Sequence, residues 1–408
     1  MTDKTGVEQA MIPVTGGGND KWLRATVTTQ TAISDIPSAQ WNHLVPTDAP
    51  MLRHEFLHAL EASGSCSVAT GWLPCHLTLY LGKRLAAAAP CYRKDHSWGE
   101  YIFDWAWANA YQRAGLEYYP KLLIAVPFTP VTGPRLLFDP TLPNSVLVTQ
   151  LVRALPEAAQ QLGASSIHCL FTTPADNEYL RQEGFVHRES YQFHWCNQAY
   201  TDFSDFLARL AAKKRKNIQR ERRRVRQAGV TTRWLGGNEL SDEVLDLFLD
   251  CYHSTAMEHG AHAYLNHDFF ARLTRDMPGQ VRLLVANRLG RDIACAFFLE
   301  GSESLYGRYW GALEHVPNLH FEACYYAPIA YCIDRGLKRF EAGAQGEHKL
   351  SRGLVPRTTL SAHWLRHPGF HQAVADYTRE EQDHLSRYTR ALHRHTPFRQ
   401  GGGEESGC

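Results

Sequence analysis

An internal repeat constrains the fold of this chain more than any other feature of its sequence. The segment LGKRLAAA begins at Leu81, and the similar segment LGRDIACA begins at Leu289. Each lies between two extended runs, and Gly followed by a basic residue between such runs predicts a β-hairpin. Two hairpins at corresponding positions indicate two copies of one domain; the alternative is a chance similarity of two common turns. The length of 408 residues also favours two domains.

The elements around the two hairpins follow a common order. After the first hairpin, the sequence predicts a helix in SVLVTQLVRALPEAAQQLG and a strand in SSIHCLF. After the second, it predicts a strand in SLYGRYWGALE, a helix in HFEACYYAPIAYCIDRGL and a strand in KRFEAGA. Helices that cross a mixed sheet predict an α/β layered architecture in each half. We therefore expect a loose leader over 1–20, domains over 21–198 and 199–390, and a loose tail over 391–408.

A basic segment opens the second predicted domain. From Lys213 to Arg226 it has nine Lys or Arg residues and one acid, Glu221, although the whole chain has a net charge of only +1. Its apolar residues recur at helical spacing, which predicts an amphipathic helix that ends at Gly229. The expected apolar stripe consists of Leu207, Leu210, Ala211, Ile218 and Val225. The cations can form a solvated face or bind phosphates. Sequence-specific DNA binding is not expected, because no second recognition element accompanies the helix. The residues expected to bind a polyanion are Lys213, Lys216, Arg220 and Arg223.

Cysteine usage and hydropathy bear on the location of the protein. The ten cysteines are scattered without a C-x-x-C pair, a pattern that suits a reducing compartment. No apolar run approaches the roughly 18 residues that span a bilayer. The N-terminal residues lack the basic and apolar regions of a signal peptide. We expect a cytoplasmic protein with no transmembrane segment.

The segment HEFLH, residues 54–58, matches the H-E-x-x-H pattern. Two histidines one helical turn apart could bind zinc, with Glu55 as a base, as in a metallohydrolase. The alternative, which we prefer, is an ordinary helix packed on the first sheet, since Gly64 follows closely and no G-x-x-H continuation is present. We predict no metal site. Three more histidines have helical spacing, but a Pro-Gly pair interrupts it, so they are expected at the surface: His363, His367 and His371.

The strongest candidate site is EAGAQGEHKLSRGLVPR, from Glu341 to Arg357, which we call the glycine-framed loop. It follows a predicted strand, and α/β folds place ligands where strands open into loops. Its glycines allow backbone amides to approach a bound group closely. The alternative is a hairpin-like loop with incidental charges. The candidate residues in this loop are Gln345, Gly346, Glu347, His348, Lys349 and Arg352.

Two other segments contain candidate residues. Arg308 and Tyr309 in LYGRYWG lie on a strand that we expect beside the glycine-framed loop. In the first half, four residues of GEYIFDW are candidates for an acceptor-binding wall, and equally for core aromatics with capping acids: Glu100, Tyr101, Asp104 and Trp105.

Residues 175–195, ADNEYLRQEGFVHRESYQFHW, resemble the late helix and final strand of the GNAT acyltransferase fold, through Asn177, Leu180, Gly184 and Phe185. A tandem pair of such domains, with a basic helix opening the second, resembles the FemAB-like family of peptidyl transferases. The resemblance is nearest to its members assigned to peptidoglycan biosynthesis or recognition. It covers roughly residues 20–390 and is carried by KKRKNIQRERRRVRQAGV, LYGRYWGALE, LHFEACYY and FEAGAQGEHKLSRGLVP.

This resemblance implies tandem GNAT-like domains that transfer an acyl or aminoacyl group to a small-molecule or peptide amine. The implied donor is aminoacyl-tRNA or acyl-CoA, so tRNA is an expected partner. In this reaction a base takes the proton of the attacking amine, and hydrogen-bond donors stabilise the oxyanion. The alternatives are a CoA-dependent N-acetyltransferase, a zinc metallohydrolase and a non-catalytic binding protein. We expect Glu347 or His348 as the base, Tyr309 as proton donor to the leaving group, and Lys349 and Arg352 as anchors for phosphate or carboxylate.

Overall fold

A computed structural model of the chain describes residues 6–14, 21–142, 144–258, 263–344, 346–394 and 396–399. By its internal contacts the chain divides into two compact units. The first contains Met1–Ser190 and Thr359–Leu385, and the second contains Tyr191–Thr358 and Ser386–Cys408. Each unit combines β-sheet with flanking helices, so the mixed α/β class expected from the sequence is confirmed.

Each unit is built from two separate stretches of chain. The sequence had predicted one continuous stretch for each domain. The chain first crosses from one unit to the other at 190/191, close to the predicted boundary at 198/199. Residues 359–385, however, were expected in the second domain and belong to the first unit. The reason is strand pairing, because Leu360–Leu365 pair with Ser166–Thr172 of the first unit.

The predicted leader and tail also contain regular structure. Gly6–Val14 form a strand that pairs antiparallel with Lys21–Gln30, so this part of the leader is not loose. The last helix continues to Arg394, which lies inside the predicted tail. Hydrogen bonds to a neighbouring strand hold the N-terminal segment, and helical hydrogen bonds continue into the C-terminal segment. Composition alone does not predict either.

The first unit contains the first predicted hairpin. His76–Leu81 and Arg84–Ala89 pair antiparallel across the turn at Gly82, as the segment LGKRLAAA predicted. Its helices are α1 (Ser38–Leu44), α2 (His54–Ala62), α3 (Trp105–Arg113), α4 (Asn144–Gln161) and α5 (Pro174–Gln182). Its strands are β1 (Gly6–Val14), β2 (Lys21–Gln30), β3 (Trp72–Pro74), β4 (His76–Leu81), β5 (Arg84–Ala89), β6 (Cys91–Lys94), β7 (Lys121–Ile124), β8 (Leu137–Phe138), β9 (Ser166–Thr172) and the start of β10 (Val186–Cys196).

Two sets of paired strands form the sheets of the first unit. One set has the order β1-β2-β4-β5-β8. In the other, β3 pairs with β6, β6 with β7, and β7 runs parallel to β9. Helix α4 packs on β4 and β5, because its apolar residues recur at helical spacing and form one buried face. Each of these side chains stabilises the fold by roughly 1.5–3 kcal/mol on leaving water. They are Leu147, Val148, Leu151, Val152 and Leu155.

The strands of the second unit are β11 (Val230–Gly236), β12 (Val281–Arg288), β13 (Arg291–Glu300), β14 (Ser304–Ala312), β15 (Arg339–Glu341) and the start of β16 (Val355–Leu365). Strands β12 and β13 form the second predicted hairpin. The strand order is β11-β12-β13-β14-β15-β10. The helices of this unit are α6 (Phe203–Arg209), α7 (Ala212–Gln227), α8 (Asp242–Glu258), α9 (His267–Asp276), α10 (Leu319–Phe321), α11 (Ala327–Asp334) and the end of α12 (Pro368–Arg394); a π-helical turn, Glu322–Tyr326, joins α10 to α11.

The predicted basic helix is α7. The apolar stripe expected for it reaches back to Leu207, but the structure breaks the helix at Leu210, which has an extended backbone and separates α6 from α7. Leu207, Ile218 and Val225 are all buried, but Leu207 belongs to α6, whereas the other two belong to α7. None of the helices in the described ranges combines the length and the apolar character needed to cross a bilayer.

Candidate functional site

The glycine-framed loop leaves β15 and forms a 3-10 helix over Glu347–Arg352. Gly346 precedes this helix with φ +104°, a conformation that side chains disfavour. A Cβ there would also lie 2.7 Å from the imidazole Cε1 of His348. The glycine is thus required by the backbone and by its close approach to His348. In an extended chain, the side chains of Glu347 and Lys349 would point to the same face. Because this segment is helical, they do not.

Lys349 is buried within this loop. Its Nζ donates to the backbone oxygen of Gly343 at 2.8 Å and to that of Ala344 at 3.2 Å. Burial lowers the pKa of the Lys349 ammonium to about 8. The side chain therefore closes the loop on itself, whereas a ligand anchor was expected from the sequence. Gln345, another predicted contact residue, lies outside the described residues.

Arg352 is bonded to an acid of the basic helix. Its Nη2 donates to Glu221 at 3.3 Å, its Nη1 donates to the oxygen of His348 at 2.8 Å, and its guanidinium lies 3.4 Å from the ring centroid of Phe321. Glu221 also accepts a hydrogen bond from the Tyr326 hydroxyl. The sequence places no acid on the C-terminal side of Arg352 in this loop. The fold brings in Glu221, the one acid of a segment far away in sequence.

Helix α7 is joined to the glycine-framed loop at a second point. Lys214 Nζ donates to Ser351 Oγ at 3.0 Å. On the same inner face, Arg222 pairs with Glu322 at 2.8 Å. The inner cations are thus engaged with protein groups. The four residues predicted to bind a polyanion lie on the outer face, are exposed, and form no ion pair within the ranges that the structure describes; we call them the basic stripe: Lys213, Lys216, Arg220 and Arg223.

His348 is exposed at the surface of the loop, as is the neighbouring Glu347. Its Nε2 is hydrogen-bonded to the Tyr325 hydroxyl at 2.9 Å, and its ring lies 5.9 Å from that of Phe321. Burial, then the charges of Arg352 and Lys349, lower the pKa of His348 below its usual value. The imidazole is therefore neutral at pH 7 and able to accept a proton. The neighbouring Glu347 accepts a hydrogen bond from Tyr388.

Strand β14 runs parallel to β15, so LYGRYWG does lie beside the strand that leads into the loop. Arg308 places its guanidinium 5.3 Å from the Tyr309 ring centroid. The ring of Tyr309 lies 5.0 Å from that of Tyr252 and 5.8 Å from that of Phe270. Tyr309 is thus part of an aromatic cluster, and its predicted role as proton donor stays a prediction.

The predicted wall of the first unit contains a buried ion-pair cluster. Lys121 on β7 donates through Nζ to Glu100 Oε2 at 2.8 Å, to Asp104 Oδ2 at 2.5 Å and to Ser97 Oγ at 2.8 Å. Burial raises the pKa of Glu100 to about 7. Burial acts in the same direction on Asp104, but the charge of Lys121, the nearby His168 and the hydrogen bonds from Lys121 and Ser97 together outweigh it and lower the pKa of Asp104 well below its usual range. Of the other two wall residues, Tyr101 is half-buried and Trp105 is partly exposed.

Two buried histidines extend this cluster. Tyr118 donates to Asp104 at 2.6 Å, and its oxygen lies 3.1 Å from His168 Nε2. His168 Nδ1 is 2.8 Å from His363 Nδ1. Burial lowers the pKa of His168 to about 3 and that of His363 well below its usual value, so both are neutral. His363 was expected at the surface, which is wrong, because its strand pairs with β9 inside the unit. His168 sits within an apolar strand pattern and gave no signal in the sequence.

The HEFLH segment forms α2, and its polar groups bind protein atoms. His54 Nε2 is hydrogen-bonded to the oxygen of Ile33 at 2.9 Å. Glu55 accepts from Asn42 at 2.9 Å and from Arg53 at 3.1 Å. No group of three or more His, Cys, Asp or Glu side chains is arranged to hold a metal ion in the parts of the chain described. The contacts of α2 are those of a packed helix.

A family model named FemAB-like, described as peptidoglycan biosynthesis/recognition, matches residues 32–400. The chain belongs to the FemAB-like family. The resemblance stated from the sequence is thereby confirmed, and family membership supports an aminoacyl- or acyl-transferase as the kind of protein. No curated protein matches the chain.

Two solved structures with TM-scores of 0.50 or more share the fold of this chain, and a third has a lower score. FemX is 11% identical with a TM-score of 0.53, over 83% of this chain and 98% of FemX. The C-terminal domain of a protein assigned as lysylphosphatidylglycerol synthetase from Agrobacterium fabrum is 11% identical with a TM-score of 0.50, over 84% and 95%. A tandem GNAT protein of clavulanic acid biosynthesis is 11% identical with a TM-score of 0.47, over 84% and 99%. At such identity the first two likenesses concern the fold alone, and the third supports no conclusion.

Proposed function

We propose that this FemAB-like protein transfers an aminoacyl group from a tRNA to an amine, and that the basic stripe holds the tRNA. The observation that supports this is the connection of α7 to the glycine-framed loop through Lys214–Ser351 and Glu221–Arg352. A nucleic acid that binds the outer face of α7 is thereby held by the same helix that fixes the loop carrying His348. Phosphate contacts of this kind fix orientation without reading sequence.

His348 is the proposed base, because it is neutral at pH 7 and lies at the surface of the loop. In the reaction the amine nitrogen forms a bond to the carbonyl carbon, and the bond from that carbon to the tRNA oxygen breaks. The amine proton passes to His348 and then to the leaving oxygen, so the imidazole is regenerated. Tyr325 orients the ring through its hydrogen bond to Nε2. Glu347 is the alternative base.

The acceptor in this proposal is an amine on a small molecule or peptide. The family description, peptidoglycan biosynthesis/recognition, makes the amino groups of cell-wall peptides the first acceptors to test. Amines are good nucleophiles once deprotonated, so no covalent enzyme intermediate is needed. A cytoplasmic location, where charged tRNA is found, is part of the same proposal.

Salt dependence of tRNA binding tests the proposal. Reversing the charge of all four residues of the basic stripe should reduce the slope of log affinity against log salt by about 3, as expected when about four phosphate contacts are lost. The melting temperature should stay nearly unchanged, because these side chains are exposed. A matched control reverses four exposed cations elsewhere that likewise form no ion pair with described residues, and should leave the slope unaltered: Arg24, Lys83, Arg113 and Arg366.

The same assay separates the alternative donors and functions. If CoA competes with tRNA and raises the melting temperature of the parent chain, the donor is acyl-CoA instead. If tRNA binds but no aminoacyl group leaves it in the presence of a peptide amine, the protein is a binding module. An equal salt slope for the stripe variant and its control would contradict the role given to α7.

A further inference from the structure

The buried cluster of the first unit has acceptor atoms without partners. Glu100 Oε1 and Asp104 Oδ1 form no hydrogen bond with any residue that the structure describes. The two side chains are only 2% and 4% exposed. Buried polar atoms in folded proteins nearly always have a partner, so an unpartnered carboxylate oxygen calls for a group that binds there.

The missing partners must be hydrogen-bond donors. The three hydrogens of Lys121 Nζ go to Ser97, Glu100 and Asp104. The ammonium of Lys94 donates to His96 Nδ1 at 3.2 Å and to the backbone oxygen of Trp98 at 3.2 Å. The three N–H groups of Lys121 and two of those of Lys94 are therefore engaged, and the unpartnered oxygens of Glu100 and Asp104 can accept further hydrogen bonds. A ligand that fits must bring N–H or O–H groups.

The surroundings suit an ammonium group in particular. Lys94 Nζ lies 3.9 Å from the ring centroid of Trp72, and Lys121 Nζ lies 5.5 Å and 5.8 Å from those of Tyr118 and Tyr119. Ring faces within about 6 Å attract cations. The cluster thus already holds the amino groups of two lysines beside carboxylates and aromatic rings, and the ammonium group of a ligand needs the same surroundings.

The charges of the cluster leave room for one more cation. Glu100 and Asp104 face Lys121, which is the firmly paired cation. Burial lowers the pKa of Lys94 to about 7 and raises that of Glu100 to about 7, so above neutral pH Lys94 loses its charge and Glu100 ionises. Two carboxylates then face one ammonium, and a bound ammonium offsets the excess negative charge.

Two indole rings lie at the surface of the same segment. Trp98 is 58% exposed and Trp105 is 36% exposed, and their rings meet edge to face at 5.2 Å. Trp98 follows Ser97 and Trp105 follows Asp104, so each exposed ring is adjacent in sequence to a side chain that binds Lys121. An apolar or aromatic group that lies on these two rings would bring an attached amine to the segment that contains both carboxylates.

We propose that this segment of the first unit binds a primary amine, whose ammonium donates to Glu100 Oε1 and Asp104 Oδ1 and whose carbon skeleton lies against Trp98 and Trp105. Lys121 is a positioning residue that holds both carboxylates. Identifying this amine with the acceptor rests on the proposed function, whereas the binding itself does not.

The protonation of Glu100 agrees with an amine ligand. Its pKa is raised to about 7 by burial, so both forms are populated at neutral pH. Ionised Glu100 accepts from an ammonium, and protonated Glu100 donates to the nitrogen of a neutral amine. An alcohol or a quaternary ammonium can match at most part of this pattern.

Three probes on the full chain test the proposal, with binding measured by calorimetry and tryptophan fluorescence at pH 7.5. Phenethylamine carries a ring and a primary ammonium, 2-phenylethanol replaces the ammonium by a neutral hydroxyl, and trimethyl(phenethyl)ammonium keeps the charge without N–H donors. We expect phenethylamine to bind about tenfold or more tightly than either analogue, as hydrogen bonds to charged groups imply. No variant is needed for this comparison, so it stands even where a substitution impairs folding.

Variants locate the site. Glu100→Gln should weaken phenethylamine binding by about tenfold or more, whereas Glu117→Gln, which changes an exposed carboxylate of the same unit, should not. Equal binding of the three probes, no binding of any, or an unchanged affinity in a folded Glu100→Gln variant each overturns the proposal. The binding assay contains no aminoacyl donor, so its result does not depend on transfer activity. If the protein transfers aminoacyl groups but does not bind phenethylamine, only the inferred amine site is refuted. If it binds phenethylamine but transfers nothing, only the proposed function is refuted.

Discussion

Replacing Arg352 distinguishes a structural ion pair from a ligand anchor, the role predicted from the sequence. In Arg352→Met the side chain keeps much of its volume over Phe321 but loses its hydrogen bonds to Glu221 and to the oxygen of His348. Breaking a buried ion pair by removing one partner costs about 3–5 kcal/mol. Here the N–O distance of 3.3 Å is long and the Glu221 side chain is 17% exposed. We therefore expect a smaller loss in the free energy of unfolding, about 2 kcal/mol.

Urea unfolding, followed by intrinsic fluorescence, measures this loss. A double-mutant cycle with Glu221→Gln isolates the pair, and we expect a coupling energy of about 1 kcal/mol or more. The matched control is Arg223→Met, which removes an exposed arginine from α7, the helix that contains Glu221. This control should change the free energy of unfolding by less than about 0.5 kcal/mol. If Arg352→Met unfolds at the same urea concentration as the control and loses tRNA affinity, the structural reasoning is refuted and Arg352 is the anchor.

Three further predictions follow from buried contacts. Lys349→Met should lower the free energy of unfolding by about 1–3 kcal/mol, because it removes two hydrogen bonds to loop carbonyls; unchanged urea unfolding with lost ligand binding would contradict this. Gly346→Ala should displace the His348 ring and reduce aminoacyl transfer more than it lowers the melting temperature; equal activity would show that the ring position is unimportant. His168 and His363 have folded pKa values far below the unfolded value of about 6.5. The unfolded chain therefore binds protons first, and stability, full above pH 6.5, should fall towards pH 3 by at most about 1.4 kcal/mol per pH unit for each histidine. A melting temperature that does not change between pH 7 and 4.5 would contradict it.

Local patterns were sufficient to predict the regular elements. The hairpins at Leu81 and Leu289 and the amphipathic helix of the basic segment depend on turn chemistry and on spacing within one stretch of chain. The structure contains all three at the predicted places. The resemblance to FemAB-like proteins depended on the same local segments, and the family comparison confirmed it.

Pairings between distant segments were not predictable in this way. Glu221 of the basic segment and Arg352 of the glycine-framed loop are 131 positions apart in the sequence, and the fold joins them. Lys349 was expected to anchor a phosphate or carboxylate, and in the structure its ammonium donates to backbone oxygens of its own loop. Which acid neutralises which base depends on long-range geometry that charge patterns along the chain do not contain.

The sequence by itself determined the α/β elements, the two hairpins, the basic helix and the family, because these follow from the periodicity and turn residues of short segments. Only the tertiary structure decided that residues 359–385 join the first unit, since strand pairing connects positions that are remote in sequence. It also decided that Glu100 and Asp104 surround Lys121 and face inward. Burial of charged groups is a property of the folded environment, and the same letters in GEYIFDW are equally compatible with a solvated wall.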